Sequence, residues 1–466
     1  MVFSRAIDHC TGAHYYKRMN EVQKKKAGKT AGFFLCCMWC ICCTACVSSG
    51  RFKNLDNHLA AGDFADARKK QESEKNHLYG AADTLLYYLD AGMLSHFAGD
   101  YEDSNNALSE AEKLIARYYA KSVSQTIASF VVNDLVSDYA GEDYEDIYSN
   151  LFMALNYIQL GKTEDAFVEI RRFDNKIKLL SSKYEQAIHE AQQQTEYAQS
   201  QYSRPDLQFH NSAFARYISL LLYRSAGKTD SARIDYKYMR SAFDTQPSLY
   251  PFDMPSVADD EFSVPAHTAR LNVLCFSGSA PEKREEVIRI PDPTGTSWFK
   301  IALPVMYKRS GQTAYAEVEA RAQNGSTSTC TLQLLESMEN IAEDTFRRKQ
   351  ALIYTKSLLR ALSKTAAAVT ATAVLEAQDD AGLNALGGLI GFASNIFMEV
   401  SERADTRHSR YFPAEVRAGG LNLADGVYRV QVTCYDKNDR ILYTQVKENV
   451  TVKSNTLTIV EAVCTR

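Results

Sequence analysis

The sequence predicts an α+β multidomain chain: an array of short helical hairpins, then a β-sandwich-like domain with a long helical hairpin inserted. Three observations predict it. Residues 51–248 repeat apolar side chains at helical spacing with few prolines. Pro247, Pro251, Pro255 and Pro265 then punctuate a short acidic stretch. From residue 269 the pattern alternates as strands do, with a helical run between two groups of strands. The boundaries follow: a leader over 1–45, helical repeats over 46–250, a linker over 251–268, and the strand domain over 269–466 with its insert at 339–402.

The leader is set apart by composition. Lys24, Lys25, Lys26 and Lys29 precede an apolar core over 31–43, and Ala45 places a small residue before Cys46. That order is an export signal. Its core is shorter than the roughly 20 apolar residues that span a bilayer. A start at Met19 gives a signal of ordinary length. The ending Cys43-Thr44-Ala45-Cys46 resembles a bacterial lipobox, of the looser spirochaete type because Cys43 replaces the preferred leucine. It implies lipid attachment at Cys46; the alternative is an uncleaved anchor.

Formal charge is -4 for the 466 residues. Seven basic and two acidic residues precede Cys46, so the rest carries about -9 with no basic run. That argues against nucleic acid as a partner. Of eleven cysteines, four follow Cys46: Cys275, Cys330, Cys434 and Cys464. Outside the cytoplasm they allow two disulfides in three pairings. The other reading is four buried, reduced thiols.

The helical half has breaks at Gly62, Gly99, Gly161 and Gly227. Five residues after each stands a small residue: Ala67, Ser104, Ala166 and Ala232. Glycine caps the first helix and the small residue lets the second approach, which is tetratricopeptide-like logic. The best copies are 152–170 and 219–236. Extra length at 120–142 reads as an added helix and an acidic loop, and at 175–203 as a long second helix. Stacked hairpins of this kind present a groove, here with Tyr157, Glu169, Arg171, Arg172 and Tyr223 as candidate partner contacts. Alternatively Glu169 and Arg172 simply pair along their helix.

The strand half reads as strands at 269–278, 285–291, 297–307, 314–324 and 328–337, then helices at 339–377 and 381–402, then strands at 426–438, 441–453 and 457–464. The stretch 366–398 is almost uncharged, and Gly387 and Gly391 permit close helix contact. It is either a hairpin entering a membrane within an oligomer or one packed on the sheet. No catalytic signature, phosphate loop or metal-ligand spacing is present, so neither an enzyme nor a cofactor is expected.

At 132–178 the stretch from Val132 to Lys178 resembles an uncharacterised family of bacterial tetratricopeptide-repeat-containing lipoproteins. The matching positions are Tyr139, Gly141, Tyr144, Glu145, Ala154 to Tyr157, Leu160, Gly161, Val168, Glu169, Arg171 and Arg172. The resemblance continues at 210–223, 277–291 and 404–416. It implies a membrane-anchored envelope lipoprotein and no particular activity. The expected function is therefore a scaffold holding a protein or peptide partner in the repeat groove. The alternatives are a membrane-inserting or assembly component using 366–398, and an envelope hydrolase.

Overall fold

Each helix break closes on a glycine in the left-handed region. In the computed structural model φ is +81° at Gly62, +82° at Gly99, +71° at Gly161 and +70° at Gly227. The structure describes residues 51–124, 137–180, 182–185, 188–189, 206–265, 267–291, 298–309, 311–376 and 403–466. The chain divides into two units, Met1–Asn57 and His58–Arg466. Of the first, only 51–57 are described, where helix α1 (Lys53–Ala61) begins. The second unit holds every other described helix and all the described strands.

After every one of these glycines the next amide donates to the carbonyl five residues back: Asp63 to His58, Asp100 to Ser95, Lys162 to Tyr157 and Lys228 to Tyr223, at 2.7–2.9 Å. This bond stops the helix and turns the chain back. The helices that result are α2 (Phe64–Ser73), α3 (Thr84–Ala98), α4 (Tyr101–Ser124), α5 (Asp143–Gln159), α6 (Thr163–Leu180), α7 (Ala213–Ser225) and α8 (Thr229–Thr245). α3/α4, α5/α6 and α7/α8 pack as hairpins. Ala67, Ser104, Ala166 and Ala232 are fully buried between them.

The strands are β1 (Ala269–Ser277), β2 (Ser279–Pro291), β3 (Trp298–Arg309), β4 (Tyr315–Ala322), β5 (Thr327–Ser337), β6 (Glu415–Leu423), β7 (Gly426–Tyr435), β8 (Ile441–Val452) and β9 (Thr458–Cys464). Helix α9 (Met338–Glu376) lies between β5 and β6. Seven strands form one mixed sheet in the order β8-β7-β4-β5-β6-β1-β9, and β2 and β3 make a separate ribbon. Among the described strands only the β1–β9 pairing is parallel. The sheet curls until β8 and β9 nearly meet, where the Val463 amide donates to Gln445 Oε1 at 2.9 Å. Its interior holds Leu271, Val273, Cys275, Val318, Val430, Val432, Cys434, Val460 and Cys464.

Both halves of the predicted fold class need correction. The second is a nearly closed seven-stranded sheet rather than a β-sandwich, because β6, unread in the sequence, joins β1 to β5. β6 contains Gly419 and Gly420, which look like a loop. A β-carbon at Gly419 would lie 2.5 Å from Leu332, and one at Gly420 would lie 2.5 Å from the Arg270 guanidinium, so these glycines serve close packing. The first half is not an open tetratricopeptide-like array. Its inner helices are covered on the far side by the chain's own sheet. From Asp143 to Asn156, α5 is buried at every position but Asp146.

β1 is buried throughout its length. Its inward residues fill the sheet interior and its outward residues meet the helices. The Phe276 ring lies 5.3 Å from Phe152 of α5, 6.0 Å from Phe214 of α7 and 6.3 Å from both His96 and Phe97 of α3. Beside it a register shift in β5 accompanies Glu336. Its carboxylate accepts from Tyr148 (2.5 Å), Tyr250 (2.6 Å), Ser212 (2.8 Å) and the Phe214 amide (3.1 Å). The buried carboxylate is thereby satisfied from two helices and the loop after α8. At the seam Glu461 of β9 pairs with His96 of α3 at 2.8 Å and accepts from Gln159 at 2.7 Å.

Phe276→Ala is predicted to destabilise the protein by about 3–5 kcal/mol, read as a lower urea midpoint by circular dichroism with the slope unchanged. A loss below about 1 kcal/mol would mean that the helices do not rest on β1.

Candidate functional site

The first turn of α5 carries four acidic residues: Glu142 at its cap, then Asp143, Glu145 and Asp146. Negative charge is favourable at a helix N-terminus, but Glu142, Asp143 and Glu145 are buried. Partners therefore converge from around the fold. Glu142 meets Lys283 of β2 at 2.6 Å and Lys349 of α9 at 3.0 Å. Asp143 takes Lys183 at 2.6 Å and the Tyr184 hydroxyl at 3.0 Å. Asp146 takes Lys176 at 2.6 Å.

Glu145 is held by neutral donors. It accepts from the Ser409 amide at 2.6 Å, the Tyr139 hydroxyl at 2.7 Å and the Glu142 amide at 2.8 Å. Burial, reinforced by the Glu142 charge, pushes its carboxyl up to about 7. Asp90 of α3 lies on the same strap of chain, accepting from Ser409 Oγ at 2.8 Å, the Arg410 amide at 2.9 Å and Tyr79 at 2.9 Å. Burial outweighs those bonds and raises it to about 6.

The strap, residues 403–411, returns the chain from beyond α9. Arg407 fastens it, donating to Asp405 (2.8 Å), Asp83 (3.1 Å) and the Ser137 carbonyl (3.0 Å). Asp405 stays below the usual carboxyl range: burial opposes this, and Lys283 and Arg407 outweigh it. His408 is half-buried, and desolvation together with the nearby Arg309 charge pushes it down to about 3, so it remains neutral.

A cavity of about 220 Å³ lies among α5's first turn, α9 and the strap, walled by Tyr118, Tyr119, Tyr139 and Tyr184. Its lining holds four lysines, Lys183, Lys283, Lys349 and Lys356, and four acids, Asp138, Glu142, Asp143 and Asp405. The balance gives no selection for an anion. Burial alone would lower Lys183 and Lys283; Asp143 and Glu142 instead raise them, so both are ammonium groups and neither is an amine nucleophile. The arrangement can clamp together three segments and take a small neutral or zwitterionic guest. Among the described residues no group of His, Cys, Asp and Glu is placed to hold a metal ion.

Three of the stretches that carry the family resemblance meet here. Tyr139, Gly141, Tyr144 and Glu145 come from the first, Lys283 from 277–291, and Asp405, Arg407 and Ser409 from 404–416. Sequence reading missed Lys349, which α9 brings in, and Asp90, an acid in an otherwise apolar helix. The candidate groove residues lie elsewhere. Glu169 is bonded to Asn150 at 2.7 Å, Arg172 reaches Glu112 at 3.0 Å and Glu169 at 3.5 Å, and Tyr223 packs on Phe167 at 4.7 Å. Tyr157 is half-buried and Arg171 exposed. Cys46 and most of 366–398 lie outside the described residues. Cys275, Cys330, Cys434 and Cys464 are free thiols in the structure. Among the described residues no helix is long and apolar enough to cross a membrane. Comparison with family models, curated proteins and solved structures finds no match.

Glu142→Gln should cost about 3–5 kcal/mol by stranding the Lys283 ammonium in a buried site. Lys283→Met together with Glu142→Leu should recover most of that loss in urea unfolding. If the single and double variants are equally weak, the pair is not a clamp.

Because Asp90 is raised in the fold, its contribution is complete below its ordinary value of 3.8 and is lost as pH rises through about 6. Asp90→Asn, which can still accept from Ser409 and donate to Tyr79, should flatten the decline in stability between pH 5 and 8. The expected change is on the order of 2 kcal/mol, measured as urea midpoints across that range. An unchanged slope would place the titration elsewhere.

Proposed function

We propose that this is a non-enzymatic, lipid-tethered envelope protein whose contact element is the arm formed by β2, β3 and α9. One observation carries the choice of the arm: the chain's own sheet occupies the inner face of the helical hairpins, where a repeat protein would hold its partner. The arm has a separate apolar cluster of Ile301, Leu303 and Leu358, flanked by Ile288, Ile290, Ile353 and Tyr354. From Arg284 to Ile290 no ribbon residue is buried, and Trp298 is 67% exposed. The acid-and-lysine clamp holds the arm's root, so a load on the arm reaches α5. The lipobox supports Cys46 as the tether, and the resemblance supports the envelope as the location.

A second reading has the arm enter lipid, favoured by the stretch 366–398, whose charges are confined to Glu376, Asp379 and Asp380. One experiment separates the two. In protein spanning residues 47–466, Trp298 is the sole tryptophan. Phosphatidylethanolamine/phosphatidylglycerol vesicles should leave its emission unshifted if the arm meets protein, and shift it to the blue if the arm enters the bilayer. In parallel, full-length protein should incorporate a clickable fatty acid and Cys46→Ala should not. Label retained in Cys46→Ala would end the tether proposal.

A further inference from the structure

Three of the four thiols after Cys46 converge inside the nearly closed sheet. Cys275 on β1 and Cys434 on β7 both point into the interior, with their sulfurs 3.5 Å apart. Cys464 on β9 is the third, engaged by the Thr313 hydroxyl at 3.6 Å and by Cys434. Cys330 is only half-buried, beside Gly419 on the neighbouring strand. β1 and β7 are not neighbours: β4, β5 and β6 lie between them in the sheet. The Cys275–Cys434 contact therefore crosses the interior instead of running along one pair of strands.

We propose that Cys275 and Cys434 form a disulfide across the interior of the sheet when the chain folds with a thiol-disulfide oxidant present, leaving Cys330 and Cys464 as thiols. In the cell the oxidant depends on the envelope reading above; the geometry does not. A bonded pair lies about 2.0 Å apart, so the sulfurs must close by roughly 1.5 Å, within reach of side-chain rotation. One cysteine thiolate attacks the oxidant's disulfide and releases one of its sulfurs as a thiolate. The second cysteine then attacks the mixed disulfide and releases the other. The pair loses two electrons and two protons; the oxidant's disulfide gains both and ends as two thiols. The contact with Cys275, together with burial, holds the Cys434 thiol above its ordinary range once the sheet has closed. Exchange then slows, so a bond formed as the sheet brings the two sulfurs together is protected afterwards.

The test uses the full chain, refolded with oxidised and reduced glutathione, blocked with iodoacetamide in urea and digested without reductant. Mass spectrometry should find a peptide joining Cys275 to Cys434, with Cys330 and Cys464 alkylated. Reductant should lower the urea midpoint of the native chain and of Cys330→Ala, and leave that of Cys275→Ala unmoved. Four alkylated cysteines after oxidative refolding, or a Cys434–Cys464 peptide in place of the expected one, would overturn the assignment. The same peptide map on protein from its own envelope separates the two claims. A bond made in glutathione but missing there would count against the oxidising location and leave the pairing intact.

Discussion

The double burial of β1 is the constraint on which the rest depends. A slip by one residue exchanges the two faces of a strand, and β1 meets a different set of partners on each, so its register is specified from both sides. Leu271, Val273 and Cys275 fix its inward side in the sheet interior, and Phe276 fixes its outward side among the helices. The inner helices therefore cannot stay amphipathic. They must be apolar toward their hairpin partners and toward the sheet, so their inner face is given to the sheet and not to solvent. Glu336 adds direction to this contact, since an off-register helix would strand a buried carboxylate.

The acidic first turn of α5 sets a second, electrostatic level of organisation. Three of its carboxylates are matched by lysines from β2, α6, α9 and the segment after α6. The fourth, Glu145, makes no ion pair among the described residues and is answered by backbone and hydroxyl donors from the strap and the adjoining loop. Removing two buried charges from water is costly, and their attraction offsets that only in good geometry. Such a site specifies which segments meet more than it adds to stability.

Much of this was legible in the sequence at the level of single elements. The glycine breaks at 62, 99, 161 and 227, the small residues that follow them and the strand runs from 269 onward all correspond to elements of the fold. The assembly was less legible. The motif LFMALNYI reads equally well as the inner helix of an array and as a helix buried on two sides; its lack of charged residues was the available signal for the second. β6 was hidden because Gly419 and Gly420 serve packing, which a single sequence does not distinguish from a turn. The site was legible only as three resembling stretches. Lys349 and Asp90 join them through long-range contacts with no local signature.

Ser337 and Glu415 are paired across β5 and β6. The chain thus leaves the sheet at one residue and re-enters it at the neighbouring position, with α9 and everything up to the strap accommodated between. β2 and β3 leave the sheet between β1 and β4, two strands that are not neighbours in it. The arm is thus two excursions, one from the β5–β6 hairpin and one from the β1–β4 crossover, stapled together at their base. Its length and chemistry can drift without altering any strand pairing in the sheet. The body of the protein can then be kept while the arm is exchanged.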